Sequence, residues 1–168
     1  MTTSQAGQRL VDDHADLHRL LEQLKNALRE RDGDTARSTL DLFWARLAVH
    51  IRAEHLRLFP AVINAARNDK SISLETVESV VAQLREDHEF FMHQLAAAMS
   101  KVADLEQVAT IVKAVEERLA THNELEEIQI YDLIASILPP EERTQLASQI
   151  DEELMKHPPR FATNTWLG

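Results

Sequence analysis

One set of polar residues occurs twice along this chain at nearly the same spacing. Each copy has an Asp-His pair followed by a His-x-x-x-Glu motif. The members are Asp13, His14, His50 and Glu54 in the first copy, and Asp87, His88, His122 and Glu126 in the second. The single His recurs after 74 residues and the His-x-x-x-Glu motif after 72, so the two halves align almost without a gap. The chain is therefore predicted to contain two related pairs of helices.

The composition is that of an ordinary globular protein. The 168 residues are 44% hydrophobic and 27% charged, and they include only three Gly and five Pro. This length suits one domain with a substantial core. We expect residues 1–168 to form a single domain, with a bundle core over about 8–138 and a C-terminal helix and tail over 139–168.

Charge and hydropathy argue against two classes of partner. The formal net charge is −10 and the basic residues are scattered. Because such a surface repels phosphates and anionic lipids, we expect no nucleic-acid partner and no membrane association. The sequence MTTSQAGQRL lacks the features of a secretory signal, and no stretch approaches the roughly 20 apolar residues of a membrane span. We therefore expect a cytoplasmic protein.

Four segments carry apolar or ligand-type residues at alternating three- and four-residue steps, the spacing of one helix face in a bundle. These seams run from Leu10 to Leu28, from Leu40 to Glu54, from Val77 to Val102 and from Val108 to Glu126. With short loops between them, they predict an all-α fold, an up-down-up-down four-helix bundle. An amphipathic segment over about 141–156 predicts an additional short C-terminal helix.

Individual residues predict where these helices begin and end. Gly33 suits a C-terminal cap for the first helix, whereas Ser73 and Asp104 suit N-terminal caps for the third and fourth. Pro60 is expected to kink or interrupt the second helix, because it removes a backbone donor and clashes with the preceding turn. Pro139 should end the fourth.

Six polar residues occupy seam positions that apolar residues would otherwise fill. They are His14, His50, Glu54, His88, His122 and Glu126. Buried carboxylates are costly without cations or hydrogen bonds, and the chain has no cysteine, so His and carboxylates are its only strong metal ligands. The set predicts a dinuclear site in which each metal takes two His and the carboxylates bridge. A buried His–Glu hydrogen-bonded network without metal is the alternative.

This order of motifs resembles the hemerythrin-like HHE domain over about residues 8–138. The similarity is strongest at His50-x-x-x-Glu54 followed by Leu58-Phe59-Pro60, and at His122-x-x-x-Glu126-Glu127. The resemblance implies a cofactor of two iron ions with an oxo or hydroxo bridge, with both Glu bridging and the His residues terminal. Zinc and manganese are alternative metals.

Two positions depart from the oxygen-carrying hemerythrins. Those proteins show a second His one turn after the first in the third helix, and an Asp five residues after the His of the fourth. Here Met92 and Glu127 hold these positions, and Glu126 offers a four-residue alternative that copies Glu54. The departures argue against reversible oxygen carriage, because fewer His ligands leave more open coordination positions.

The remaining polar residues near the motifs have weaker interpretations. His18, one turn after His14, is either a further ligand or a residue at the rim. His55 and His93 are expected at the surface or rim, since each is about 140° around the helix from a candidate ligand. Tyr131 is expected to line the core, where an inward hydroxyl could bond a metal-bound oxygen species. Asp13 and Asp87 are expected to face solvent or to contact another helix.

The resemblance implies functions that include oxygen binding, iron or oxygen sensing, and handling of peroxide or nitric oxide. Our leading interpretation is a di-iron protein that binds or senses dioxygen or a reactive oxygen or nitrogen species. One alternative is a peroxidase-like or catalase-like scavenger, an oxidoreductase acting on peroxide, oxygen or nitric oxide. Another is an iron-responsive structural bundle, in which metal binding is linked to folding.

Overall fold

The structure is a computed structural model that describes residues 4–156. Over that range the chain contains no strand and forms five continuous helical segments, which confirms the all-α prediction. They are α1 (Gln5–Arg29); α2 (Gly33–Ala53), a π-helical turn (Glu54–Leu58) and α3 (Phe59–Asn68); α4 (Leu74–Ser100); α5 (Leu105–Glu126), a second π-helical turn (Glu127–Tyr131) and α6 (Asp132–Ile137); and α7 (Pro140–Leu154). None of these helices is both long enough and apolar enough to cross a membrane.

The helices pack as a bundle whose interior has three layers. α1 contacts chiefly α2, and α4 contacts chiefly α5, as expected for two related helix pairs. The first apolar cluster includes Leu17, Leu24, Phe43, Phe91 and Leu119. The second apolar cluster includes Leu10, Phe59, Leu84, Ile130 and Leu146. On each long helix the seam passes from one cluster to the other through polar residues, so a polar layer lies between two apolar ones.

The turn between α1 and α2 differs from the prediction at Gly33. Arg31 is the residue with positive φ, at 56°, while Gly33 is already the first residue of α2. The N–H of Asp32 donates to the carbonyl of Ala27 at 3.0 Å and that of Arg31 to Leu28 at 3.2 Å, which closes α1 in a Schellman motif. The Gly33 cap was therefore wrong. Asp32 itself caps α2, since its side chain accepts from the Thr35 N–H.

The predicted N-terminal caps of α4 and α5 are confirmed. The Ser73 hydroxyl accepts from the Thr76 N–H at 3.2 Å, and the Asp104 carboxylate accepts from the Gln107 N–H at 3.2 Å. Each cap satisfies an N–H group that has no partner inside its own helix. α6 ends at Ile137, and only its C-cap residue Leu138 separates it from the Pro pair that was predicted to end this helix.

The two helices that carry the His-x-x-x-Glu motifs each continue into a π-helical turn at matching positions of the repeat. The N–H of Phe59 donates to the carbonyl of Glu54, and that of Asp132 to Glu127, each five residues back. The predicted interruption at Pro60 takes this form, since the π turn precedes Pro60 and helix continues to Asn68. Pro60 has no N–H for an α-helical bond, and the wider turn accommodates it.

α7 confirms the predicted C-terminal helix, with bounds one residue earlier at its start and two at its end. Leu146, Ile150 and Leu154 are buried in the second apolar cluster. The helix packs on α1, α2 and the first π turn. α7 therefore covers the first helix pair from outside. The predicted tail over 157–168 lies outside the described residues.

Candidate metal centre

The six seam residues predicted as ligands come together in the polar layer between the two apolar clusters. His14, the most exposed of the six, is 8% exposed, and both Glu54 and Glu126 are fully buried. Each His-x-x-x-Glu pair lies on one helix face, because residues four apart on a helix are neighbours. The distance from His50 Nε2 to Glu54 Oε1 is 3.3 Å, and that from His122 Nε2 to Glu126 Oε1 is 3.2 Å.

The ring nitrogens form two groups, each drawn from two helices. His14 Nε2 lies 3.1 Å from His50 Nε2, and His88 Nε2 lies 3.2 Å from His122 Nε2. Each pair forms a group with Glu126 in which every ligand atom lies within 4.8 Å of the others. We call the His14, His50 and Glu126 group the first metal position, and the His88, His122 and Glu126 group the second metal position.

Both carboxylates connect the two metal positions. Glu126 Oε1 lies 3.3 Å from His14 Nε2 and also contacts His122. Glu54 Oε1 lies 3.3 Å from His50 Nε2 and 3.5 Å from His88 Nε2. Each carboxylate therefore reaches both helix pairs, which is the arrangement that two bridging ligands require.

The polar layer contains buried carboxylate oxygens that have no hydrogen-bond donor among the described residues. Glu54 Oε1 and Glu126 Oε2 are buried and accept no hydrogen bond from the described residues. A buried carboxylate oxygen without a partner is costly, and a cation is the usual compensation. This donor set of imidazole nitrogens and carboxylate oxygens therefore suits a divalent cation at each metal position.

Buried charge also shifts the titration of these residues. Burial raises the pKa of Glu54 to about 7, and the nearby charge of Glu126 adds to the increase. Burial acts to lower the pKa of His122, but the charge of Glu126 and the hydrogen bond to Asp87 outweigh it and raise that pKa to about 10. The carboxylates thus attract positive charge, which protons supply in the absence of metal. Metal binding should therefore release protons.

An Asp and an Arg orient one His of each metal position. Asp13 Oδ2 accepts from His50 Nδ1 at 2.8 Å and is itself held by Arg46 at 3.2 Å. Because a carboxylate only accepts, the His50 ring carries a hydrogen on Nδ1 and turns its Nε2 toward the centre.

The second copy of the repeat contains the same relay. Asp87 Oδ2 accepts from His122 Nδ1 at 3.0 Å, and Arg118 donates to Asp87 at 2.8 Å. Of the two alternatives for Asp13 and Asp87, the cross-helix contact is correct and solvent exposure is wrong. The sequence signal that was missed is Arg46 and Arg118, which align under the same 72-residue shift as the His-x-x-x-Glu motifs.

The other two His residues have different partners in the two halves. His14 Nδ1 lies 3.1 Å from Glu127 Oε1, whereas His88 Nδ1 lies 2.8 Å from His55 Nε2. Glu127 and His55 occupy equivalent positions of the repeat. Of the two acidic residues offered by the fourth helix, Glu126 is therefore the interior one, and Glu127 contacts the outer nitrogen of His14. His55 is partly buried at the rim, as predicted.

The Tyr131 hydroxyl turns into the centre. It lies 3.0 Å from Glu54 Oε2, 3.2 Å from Glu126 Oε1 and 3.2 Å from His14 Nε2. The second π turn explains this placement, because its five-residue hydrogen bond keeps Tyr131 close to the face of Glu126. The prediction that Tyr131 lines the core is confirmed, and its hydroxyl adds an O–H donor there.

Other candidate residues lie outside the centre. His18 and His93 are exposed, so the structure does not bring them to either metal position. Met92 is buried in the first apolar cluster. His18 is therefore not a further ligand in this arrangement, because its position one residue off the seam turns the ring outward.

A helical bundle with paired His groups around shared buried carboxylates is the architecture of a cation-binding helical protein. A family model for the hemerythrin HHE cation binding domain matches residues 8–134. The chain therefore belongs to the hemerythrin HHE cation-binding family. No curated protein and no solved structure gives a significant match.

Proposed function

We propose that this protein is a non-haem di-iron protein that binds or senses dioxygen or a reactive oxygen or nitrogen species. The observation that carries the proposal is the paired geometry, in which two buried His groups share Glu126. Membership of the HHE family supports cation binding. Iron is favoured because imidazole and carboxylate ligands on the facing helices of a bundle are typical of dinuclear non-haem sites.

The proposed ligands divide evenly between the two ions. His14 and His50 would hold one ion, His88 and His122 the other, while Glu126 and Glu54 would bridge them. Two His per ion and shared carboxylates leave coordination positions open. Bound iron would supply one-electron chemistry and binding positions for a small ligand.

The surrounding residues would orient the ligands and restrict water. Asp13 and Asp87 fix the rings of His50 and His122, and the two apolar clusters close the polar layer from both ends. Tyr131 has one hydroxyl hydrogen and three acceptors within 3.2 Å. It is therefore placed to donate that hydrogen to a small ligand entering the centre.

Dioxygen, peroxide and nitric oxide are the proposed small-molecule ligands, and sensing or reaction is favoured over carriage. At the two positions where oxygen carriers have a further ligand, this chain has Met92 and Glu127, and neither side chain faces the proposed ions. Met92 packs in apolar surroundings and Glu127 contacts only the outer nitrogen of His14 among the ligands of the first metal position. Neither Met92 nor Glu127 guards an open coordination position.

We also propose that residues 1–168 form one domain with an up-down-up-down arrangement of its long helices. Short connections support this topology, since α1 ends at Arg29 and α2 begins at Gly33, while α4 ends at Ser100 and α5 begins at Leu105. Connections of this length favour antiparallel neighbours.

The experiment that tests the proposal is elemental analysis of purified protein, with its absorption spectrum recorded before and after dithionite and then air. We expect about two irons per chain and near-ultraviolet absorption from a coupled ferric pair. Bleaching by dithionite and recovery in air would support oxygen chemistry. Zinc alone, or no metal after iron supplementation, would contradict the di-iron proposal.

An iron-responsive structural bundle is a second candidate, favoured by the unpartnered buried oxygens of Glu54 and Glu126. Without metal these atoms lose their compensation, so chelation should destabilise the fold. Loss of helical circular dichroism on chelation would support this function. Sustained turnover of peroxide by the iron-loaded protein would instead support a scavenging enzyme.

A further inference from the structure

A groove between α1 and α5 lies beside the first apolar cluster, away from the polar layer. It contains a cavity of about 370 Å³, and its lining includes Leu28, Ala109 and Val112. Val112 belongs to the first apolar cluster and Leu28 packs against it, so the floor of the groove is apolar. A cavity of this size accommodates a small organic molecule.

The rim of the groove is basic, although the chain has a net charge of −10. Lys25, Arg29 and Lys113 line it. Lys25 pairs with Glu22 at 3.0 Å and with Glu116 at 2.8 Å. Lys113, by contrast, forms no side-chain ion pair with any residue in the described range 4–156. Three cations beside two carboxylates leave the rim with an excess of positive charge.

The internal repeat shows that the groove is specific to one side of the bundle. Because the repeat relates α1 to α4 and α5 to α2, the counterpart of this groove is the interface between α4 and α2. Trp44 and Met99 take the positions of Glu116 and Lys25 there. Trp44 is part of the first apolar cluster and Met99 packs against it. Two large apolar side chains on one side of the bundle are thus replaced by an ion pair beside an open groove on the other.

An apolar floor with a basic rim matches a ligand that has a hydrocarbon part and an anionic end. Removal of the hydrocarbon from water favours binding, and a few polar groups fix the orientation of a ligand in such a site. Lys113 is available to the anionic end because no described carboxylate occupies it. The metal centre takes no part, since Leu28 follows His14 by 14 residues, roughly 20 Å along α1.

We propose that the groove between α1 and α5 binds a small amphiphilic carboxylate of the medium-chain fatty acid class. The alkyl chain lies on the floor formed by Leu28 and Val112, and the carboxylate pairs with Lys113 at the rim. Two observations carry this inference, the apolar cavity and the basic rim on an acidic protein. It does not depend on the identity or the occupancy of the metal centre.

The test is equilibrium dialysis of the full chain against radiolabelled octanoate, with acetate and 1-octanol as comparison ligands. We expect one octanoate per chain, with a dissociation constant of roughly 0.1 to 1 mM. 1-Octanol lacks the charge and should bind at least about fivefold more weakly. Acetate lacks the alkyl chain and should not bind saturably below about 10 mM.

Three results of this comparison would overturn the proposal. The first is the absence of saturable octanoate binding. The second is equal affinity for 1-octanol, which would show that the basic rim contributes nothing. The third is acetate binding as tight as that of octanoate, which would show that the carboxylate binds without the apolar floor, as it would at a bound metal ion.

Three variants locate the site. Ala109→Trp puts a large side chain into the groove and should weaken octanoate binding by more than about tenfold. Lys113→Glu reverses a charge at the rim and should weaken it by about tenfold. Glu116→Gln removes the carboxylate from the lining and should instead tighten binding about threefold. Unchanged affinity in Ala109→Trp or Lys113→Glu would overturn the assignment to this groove, and weaker binding by Glu116→Gln would contradict the role of charge.

Matched controls separate these effects from general changes in bulk or charge. Ala114→Trp adds the same side chain at an exposed position of α5 that does not line the groove, and Lys70→Glu reverses an exposed charge elsewhere. Neither should change octanoate affinity. Thermal unfolding of every variant checks that the bundle is retained, and metal content per chain should stay at the wild-type value in all of them.

Discussion

The first helix pair and the second carry the same set of candidate ligands but differ in what surrounds them. Both contain the same relay from Arg through Asp to His, at Arg46 and at Arg118. Beyond that relay, a carboxylate contacts His14 whereas an imidazole contacts His88, and α7 covers only the first pair. A repeat can therefore preserve the buried His and Glu residues while changing what surrounds them in each copy.

Removing a residue shared by both halves should produce the largest effect. Because Glu126 belongs to both metal positions, Glu126→Ala should lower metal affinity by more than about 100-fold and leave nearly no bound iron. Glu54→Ala should also cost metal disproportionately. His93→Ala is the control, since His93 is exposed and should retain wild-type iron. The measurement is metal content per chain, and equal stoichiometry in all three variants would contradict the ligand assignment.

Removing one orienting carboxylate should affect one half at a time. Asp13→Asn and Asp87→Asn each keep the side-chain size but weaken the contact to His50 or His122, so each should lower affinity for one ion about 10- to 100-fold. Competition titration with a metal-binding dye would resolve the two ions. The idea of two separate relays fails if either variant weakens both ions equally.

The cover over the first half should contribute least. Burial acts to raise the pKa of Glu153, but hydrogen bonds from Lys156 and Arg57 outweigh it and hold the pKa below its ordinary value of 4.5. The resulting stabilisation is present above the unfolded pKa and is lost as pH falls through the lower folded pKa. Glu153→Gln should therefore reduce the free energy of unfolding by about 1.5 kcal/mol at pH 7.

The pH dependence of the difference between wild type and Glu153→Gln tests whether the Glu153 charge is the source of the stabilisation. Thermal unfolding of wild type and Glu153→Gln should be compared from neutral pH to below pH 4. The difference should shrink through the acid range, because protonation removes the same negative charge in wild type. A difference that is constant with pH would show that the Glu153 charge is not its source.

Much of the bundle, and the set of residues in its polar layer, could be predicted from local sequence pattern. The spacing of the seams predicted that the six polar residues lie inside the bundle, and side-chain chemistry predicted the caps at Ser73 and Asp104. Each of these features depends on contacts within one helix or on a repeated interval. The identity of Glu126 as the interior carboxylate follows from the same four-residue spacing that joins His50 to Glu54.

Features that depend on the path of the backbone or on neighbouring helices were harder to predict. Tyr131 is five residues from Glu126, about 140° away on an α-helix, and only the π turn brings its hydroxyl inward. Asp13 reaches a His on another helix, which the spacing along its own helix does not show. Arg31, not Gly33, adopts the left-handed conformation, because hydrogen bonds to Ala27 and Leu28 fix where α1 ends.

The position of α7 also bears on the order in which the protein can be completed during synthesis. Arg9 and its partner Asp151 are separated by 142 residues, so this contact forms only after nearly all of the described chain has left the ribosome. Both metal positions need Glu126, which is translated before α7. A nascent chain therefore contains all six candidate ligands before the helix that covers the first helix pair has been synthesised.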